Sequence, residues 1–569
     1  MTPSLRTPAL LLLILLSPSA RSAEPVDRVF DAMQDELNRT TSRLEMDKMG
    51  KPYFVAVTVQ DDDRIEIEGS FGALKNPNEQ RSRSARVLLR VGNRTFDNAH
   101  YVGRDYWRYQ PFTNSAPVED DYDALRAALW TTADQAYKQA LEKLSQKTAY
   151  QHGRNITDAL PDLTKDEVFA SSQAPTAQGL DRALWEERVR KLSAVFRLYP
   201  AIQRSSVQLS YVRRAIRLLD SEGRRILRPA DFIEMNFNAS GQAADGIPVQ
   251  DRRLILRRKA SEMPDFSSLE GEARALAGDV TALCSARQAE AYLGPVLLEG
   301  QASGEFLNQL FARSISFPRE LWIENEESKE FFSHGEFSSR LGLRVISPLF
   351  DVYDDPGARE SAGAPLAGSY DFDAEGMPGR KVLLAQKGIL KDLLMSRSPI
   401  KDRNASNGHG RGTLWEFPEA QISNLFFEPS ETMSEAELKQ ELRKRASEFG
   451  LSHGLIIRRI SEAAPEKEGA LAAPILVYRV DVKTGKEELV RNAEFSGASL
   501  RSLRDIAAAS DRRRVHDCWR VGIYRYNHGR VPASIIAPSV LISEMELKKS
   551  EQKPQKPPVL KHPYFDKQP

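Results

Sequence analysis

The sequence predicts an α+β protein in two domains: a helix-flanked sheet over residues 24–265 and a mainly antiparallel sheet domain over residues 266–547. Three observations carry this. At 569 residues the chain is too long for a single core. Its first half sets a helical pattern ahead of a series of strand-like runs. Its second half alternates apolar runs with turns around Gly376 and Gly388, and closes on a strand-like run over 532–541.

In chain order, Val26, Val29, Phe30, Met33, Leu37 and Leu44 recur at helical spacing over residues 25–44. Residues 53–59, 64–68 and 86–91 read as strands, the last closed by the Gly92-Asn93 turn. Helices are predicted over 124–144 and 185–195. Between them, 147–180 is polar with Gly, Pro, Ser and Thr, and reads as a loop or peripheral insert. Residues 205–218 and 226–238 read as long antiparallel strands around the turn Ser221-Glu222-Gly223, and 267–286 as the helix that hands over to the second domain. There, 382–385 and 389–394 are apolar runs separated by Gln386-Lys387-Gly388, the pattern of a tight hairpin with Gly388 at positive φ. The tail, 548–569, is rich in Lys and Pro and cannot form helix or central strand; it reads as flexible or surface-wrapping.

The N-terminus carries Arg6, an apolar run over 9–16 and small residues up to Ala23, the pattern of a secretory signal peptide over residues 1–23. That run is too short for a permanent span, and no other stretch approaches about 18 apolar residues. The expectation is an exported protein, periplasmic or extracellular, with no membrane span. Removing Arg6 and Arg21 with the leader leaves 78 basic against 79 acidic side chains, a formal charge of −1. So balanced a surface carries no electrostatic footprint for nucleic acid. The two cysteines, Cys284 and Cys518, read either as a pair closing a long loop in an oxidising compartment or as two buried thiols.

The most specific pattern lies within residues 354–411. It opens with Asp354-Asp355-Pro356, continues with Gly368-Ser369-Tyr370-Asp371-Phe372-Asp373-Ala374-Glu375-Gly376 and the hairpin runs, and ends on Asn407-Gly408-His409-Gly410-Arg411. Glycines around His409 let the backbone approach another chain or a ligand closely. In this order the motifs resemble the C-terminal domain of the TldD/PmbA family, metallopeptidases once called modulators of DNA gyrase. The resemblance is motif-specific over about residues 280–545 and one of arrangement over 25–280. It implies that family's two-domain fold, and an assembly of two subunits enclosing a cavity in which an unfolded peptide is held as an added strand.

Active members of the family carry His-Glu-x-x-x-His on an upstream helix, two imidazole ligands for zinc and a glutamate base, with a C-terminal cysteine as third ligand. The segment here in that place is 295–307. By that alignment Glu299 replaces the first histidine, Gly300 the glutamate and Gly304 the second histidine. Cys518 stands near the family's cysteine in a different context, His516-Asp517-Cys518-Trp519. The resemblance therefore implies a chain without its zinc site and with no cofactor, in which Glu299, the one acid among the three slot positions, is the catalytic candidate. Asn407, Gly408, His409, Gly410 and Arg411 are the candidate peptide-binding residues. The chain then reads as a zinc-less, TldE-like partner subunit that binds unfolded peptide or protein, as a homodimer or as a heterodimer with a TldD-like paralogue. The alternative is an active peptidase whose zinc site is rebuilt from residues such as Glu299, Glu305, His409 or Cys518.

Three further readings concern packing. Glu299, set against the apolar run 296–298, requires a partner if buried. Gln301-Ala302-Ser303-Gly304 offers small residues where two elements press together. Asp351, Asp354 and Asp355 read as turn residues before Pro356.

Overall fold

The computed structural model describes residues 27–46, 49–157, 159–173, 179–463, 470–525, 529–560 and 562–566. The signal peptide expected over 1–23 lies outside the described residues.

The first domain opens with α1 (Arg28–Arg43), capped by Asp27, whose carboxylate accepts from the Val29 and Phe30 N–H groups. β1 (Phe54–Ser70) and β2 (Ala73–Arg90) form a long antiparallel hairpin, and β3 (Phe112–Ala116) pairs with β2. α1 and α2 (Tyr122–Arg154) cover this hairpin around Met33, Val57, Val87, Leu129 and Tyr137. β4 (Ala170–Ser172), α3 (Arg182–Ala194), β5 (Ile202–Asp220), β6 (Arg225–Pro229), β7 (Phe232–Gln242) and β8 (Pro248–Arg257) follow. The eight strands run in the order β3-β2-β1-β5-β6-β4, with β7 also on β5 and β8 on β7. α3 and α4 (Phe266–Ser285) cover the β5–β8 portion around Phe196, Phe237, Leu269 and Leu276.

Three expectations are corrected here. Residues 53–59 and 64–68 belong to one strand, β1, because the acidic run between them finds arginines on both neighbouring strands. Asp61 pairs with Arg83 of β2 and, at 2.7 Å, with Arg217 of β5; Asp62 pairs with Arg214 at 2.7 Å, and Asp63 with Arg213. These cross-strand pairs keep a charged centre inside the ladder. α2 runs on to Arg154, ten residues past the expected end at 144, and the expected loop starts only there. Its buried Lys147 donates to Asp162 (2.6 Å) and to the Ala99 carbonyl (2.8 Å), a tertiary anchor invisible in local composition. Residues 226–238 form two strands, β6 and β7, separated at Ala230-Asp231, where Asp231 accepts the Arg214 N–H at 2.8 Å.

The second domain is a twelve-stranded, mainly antiparallel sheet. It contains β9 (Tyr292–Leu298), then α5 (Gln301–Leu307), which continues through a π-turn over Asn308–Ala312. Next come β10 (Phe350–Asp354), β11 (Val382–Gln386), β12 (Ile389–Leu390), β13 (Asn424–Pro429) and α6 (Glu435–Glu448). β14 (His453–Ile460), β15 (Pro474–Asp481), β16 (Glu487–Arg491), β17 (Ile506–Val521) and β18 (Arg530–Lys549) follow, and the short strands Arg287–Gln288 and Ala493–Ser496 bring the sheet to twelve. The long β18 is central, pairing with β9, β13 and β17. The β11–β12 hairpin turns at Lys387 and Gly388, both at positive φ (48° and 75°), and Asp351 accepts the Lys387 N–H at 2.7 Å. Leu298, Phe306, Phe311, Phe350, Phe427 and Ile535 meet in the core.

After β18 the tail wraps back over the first domain. Gln555 N–H donates to the Gly246 carbonyl at 2.8 Å, the His562 and Phe71 rings lie 4.8 Å apart, and Arg197 sits 5.5 Å from the Tyr564 ring. No helix among the described residues is long and apolar enough to cross a membrane.

Candidate functional site

At the end of β9, Glu299 carries two cationic partners, Arg458 of β14 at 2.9 Å and Lys439 of α6 at 3.6 Å. Gly300 follows at φ +58° and starts α5. One turn on, Gly304 faces His516 of β17 so closely that a Cβ there would lie 2.5 Å from the histidine's own Cβ. The imidazole Nε2 lies 2.6 Å from Glu305 Oε2. Glu305 also accepts from Gln309 (2.7 Å) and Asn308 (3.2 Å), and Asn308 in turn accepts from Arg520 at 2.9 Å. Ser303 Oγ donates to the Pro538 carbonyl at 2.6 Å, tying α5 to the central strand. Burial acts to lower the pKa of His516, but the hydrogen bond and charge of Glu305 override it and hold the imidazole above its ordinary value. The small residues of α5 are thus the floor of a buried ion pair.

The resemblance puts a zinc site at this place, and the donors present do not fit one. Zinc takes at least three protein ligands. Gly300 and Gly304 offer none, Glu299 is neutralised by Arg458 and Lys439, and the His516 nitrogen is taken by Glu305. Cys518 lies in the apolar core, its thiol pushed far up by burial. Cys284, on α4, is also a free thiol. Among the described residues, no group of three His, Cys, Asp or Glu side chains is arranged to hold a metal ion. The set named for a rebuilt site is not gathered either. His409 Nε2 lies 3.0 Å from Asp354 and Glu299 points to its own two cations. His516 is the functional-slot residue that sequence reasoning missed; the one local hint was a glycine inside a helix, which marks a bulky neighbour.

The 407–411 loop, which holds the candidate peptide-binding residues, is built into the domain interior. Gly410–Arg411 already pairs antiparallel with Glu419–Ala420. His409 is fully buried between Asp354 and Asn407, and Asp354 also accepts the Ser423 N–H at 2.9 Å. Asn407 accepts the Met395 N–H (2.7 Å) and donates to the Leu393 carbonyl (2.9 Å). Gly408 lies against the Pro378 carbonyl at φ +77°, and Gly410 against the Glu375 carboxylate, so a Cβ fits at neither. Of the five, Arg411 faces a cavity. Asp355 caps the turn at Gly357 as expected, whereas Asp354 is the buried anchor of this loop.

That cavity, of about 110 Å³, lies at the junction of the domains between the β1-β2-β5-β6 strands and the segments bearing Tyr370, Asp373, Arg411 and Trp519. Asp373 accepts N–H groups from Glu375, Met377 and Gly410, each at 2.9 Å. Burial raises both Asp373 and Glu375 above the usual carboxylate range. Burial, reinforced by Glu375, pushes Glu419 up to about 8.

A smaller neighbouring cavity of about 50 Å³ is lined by His100, Ser398, Glu375 and Glu419. His100 lies 3.0 Å from Asp162 and 2.8 Å from Ser398 Oγ, the connectivity of a serine–histidine–aspartate relay. Yet Asp162 is also gripped by Lys147 (2.6 Å) and Arg319 (3.3 Å). Burial, with Arg319, lowers His100 to about 4, too weak for a general base at neutral pH. The network is a polar clamp between the domains.

Residues 291–549 match the family model described as the PmbA/TldA metallopeptidase C-terminal domain. A metalloprotease of Methanocaldococcus jannaschii is 28% identical over 137 residues, 24% of this chain and 27% of that protein. A metalloprotease TldD homolog of Buchnera aphidicola is 21% identical over 219 residues, 37% of this chain and 41% of that protein. The matched part thus spans between about a quarter and under half the length of these curated relatives. TldE from Thermococcus kodakarensis superposes with a TM-score of 0.57 at 13% identity, covering 91% of this chain and 99% of that one. At that identity the likeness establishes the fold, over both domains.

Proposed function

We propose that this chain, a member of the TldD/PmbA/TldE family by its match over residues 291–549 and its TldE-like fold, has a metallopeptidase-related function as an exported, zinc-less partner subunit that holds unfolded peptide for a metal-bearing paralogue. One observation carries the reading. The place that the resemblance assigns to the second zinc histidine is Gly304, and the space over it is filled by His516 in an ion pair with Glu305. A filled, charge-paired slot is a stable substitute for a metal centre, and with Gly300 in place of the glutamate no base remains to activate water.

The test uses the mature chain, without residues 1–23, alone and mixed with a TldD-like paralogue from the same source. The mixture is expected to sediment as a larger species and to cleave an unstructured peptide in a chelator-sensitive way, while the chain alone cleaves little. Chelator-sensitive cleavage by the chain alone, lost in Glu299→Ala, would establish the rebuilt-site peptidase instead. Export is checked by the N-terminus of the chain recovered outside the cytoplasm, expected near residue 24.

A further inference from the structure

The cavity between the domains has a charge pattern that the partner role does not require. Six arginines line it: Arg86, Arg214, Arg228, Arg258, Arg411 and Arg530. Two are neutralised, Arg214 by Asp62 and Arg530 by Glu234, each at 2.7 Å. The other four make no ion pair among the described residues. Arg86 is buried and bonds only neutral oxygens, the Glu416 carbonyl at 2.9 Å among them, while its Nε has no partner. Arg258 donates to the Ser369 carbonyl. Arg411 donates to the Pro532 (2.6 Å) and Ile422 carbonyls, with its guanidinium 5.1 Å from the Tyr370 ring centre. Arg228 has no side-chain hydrogen bond or ion pair among the described residues.

The acids at hand do not supply the missing charge. Of the two that line the cavity, Asp373 spends its oxygens on three backbone N–H groups and Asp231 accepts a backbone N–H. Burial pulls Arg228 down to about 10, with Arg258, Arg214 and Arg411 acting in the same direction and Asp373 against it. Guanidiniums gathered out of bulk water without counter-charge are costly, and their planar fork matches the oxygens of carboxylate and phosphate. Beside them, Ile216, Leu218 and Ile226 give the same cavity an apolar wall. Junctions between domains are where small-molecule sites with few convergent polar groups occur.

We propose that this cavity is a binding site for a small oxyanion, a carboxylate or a phosphate, held by Arg86, Arg228, Arg258 and Arg411. A carboxylate with an apolar substituent, such as the C-terminal residue of a peptide, would use the charged and the apolar walls together; inorganic phosphate would use only the first. The inference does not depend on the partner role and stands if the chain proves to be a peptidase.

The test is calorimetric titration of the mature full-length chain with three probes: N-acetyl-leucine, N-acetyl-leucinamide and inorganic phosphate. Binding of N-acetyl-leucine but not of its amide identifies the source as a carboxylate; binding of phosphate alone identifies phosphate; either outcome supports the site. Arg228→Gln, which removes no side-chain hydrogen bond or ion pair among the described residues, is expected to weaken that binding by about tenfold or more. Arg64→Gln, at an exposed pair with Glu66, is expected to leave it unchanged. Absence of binding by all three probes at millimolar concentration, equal binding of acid and amide, or anion binding undiminished in Arg228→Gln would overturn the proposal.

Discussion

Gly304 is required by what lies opposite it: His516 occupies the volume a side chain would need. Gly304→Ala is therefore expected to destabilise the protein by about 1–3 kcal/mol through overpacking. His516→Ala in the same chain should recover part of that loss, a coupling of about 0.5–3 kcal/mol in a double-mutant cycle read by denaturant unfolding. Additive losses would show that the two residues do not share one space. Glu419 makes a second residue-scale prediction. Its folded value of about 8 lies above the ordinary 4.5, so between the two the folded chain keeps a proton that the unfolded chain has released. Stability from this group is full below about 4.5 and is lost as pH rises through about 8. Glu419→Gln should flatten the fall in melting temperature between about pH 4.5 and pH 8, and an unchanged slope would contradict the assignment. His516, raised by Glu305, acts in the same direction; His100, lowered to about 4, acts in the opposite one and costs stability as pH falls below its ordinary 6.5.

Elements were legible where their causes are local. The stripe of α1 and the Gln386-Lys387-Gly388 turn lie within a few residues of the structure they specify, and each appears as expected. The middle of β1 and the end of α2 did not, because Asp61, Asp62, Asp63 and Lys147 are held by partners from 15 to 156 residues away. The hairpin is the element most sensitive to one atom. At Gly388, φ is +75° and an added Cβ would press on the Ile346 carbonyl, so Gly388→Ala is expected to cost about 2 kcal/mol or more. Removing residues 551–569 should cost less, about 1 kcal/mol, since the strap contributes a few exposed contacts around Gly246, Phe71 and Arg197. Thermal unfolding of both variants orders them; a truncation as severe as the hairpin substitution would mean that the strap holds the first domain together.

At the scale of the whole molecule, the two domains are joined by buried charge. Arg86 of β2 bonds the Thr413 and Glu416 carbonyls, and His100 and Asp162 reach Ser398 and Arg319 across the junction. The 354–411 pattern gave the second domain away in sequence because its turns and glycines are specified locally. What fills the slot beside α5 was not legible, since His516 lies 211 residues from Glu305 and only the fold brings them together. The same distance hid the arginines of the interdomain cavity, which come from six separate segments of chain. The central claim is that the His516–Glu305 pair has replaced a metal centre. Zinc analysis of the mature chain after gel filtration in zinc-containing buffer tests it most directly. The account predicts no stoichiometric zinc and no change in melting temperature on adding chelator. One zinc per chain, lost in His516→Ala or Cys518→Ser and accompanied by chelator-sensitive peptide cleavage, would contradict it.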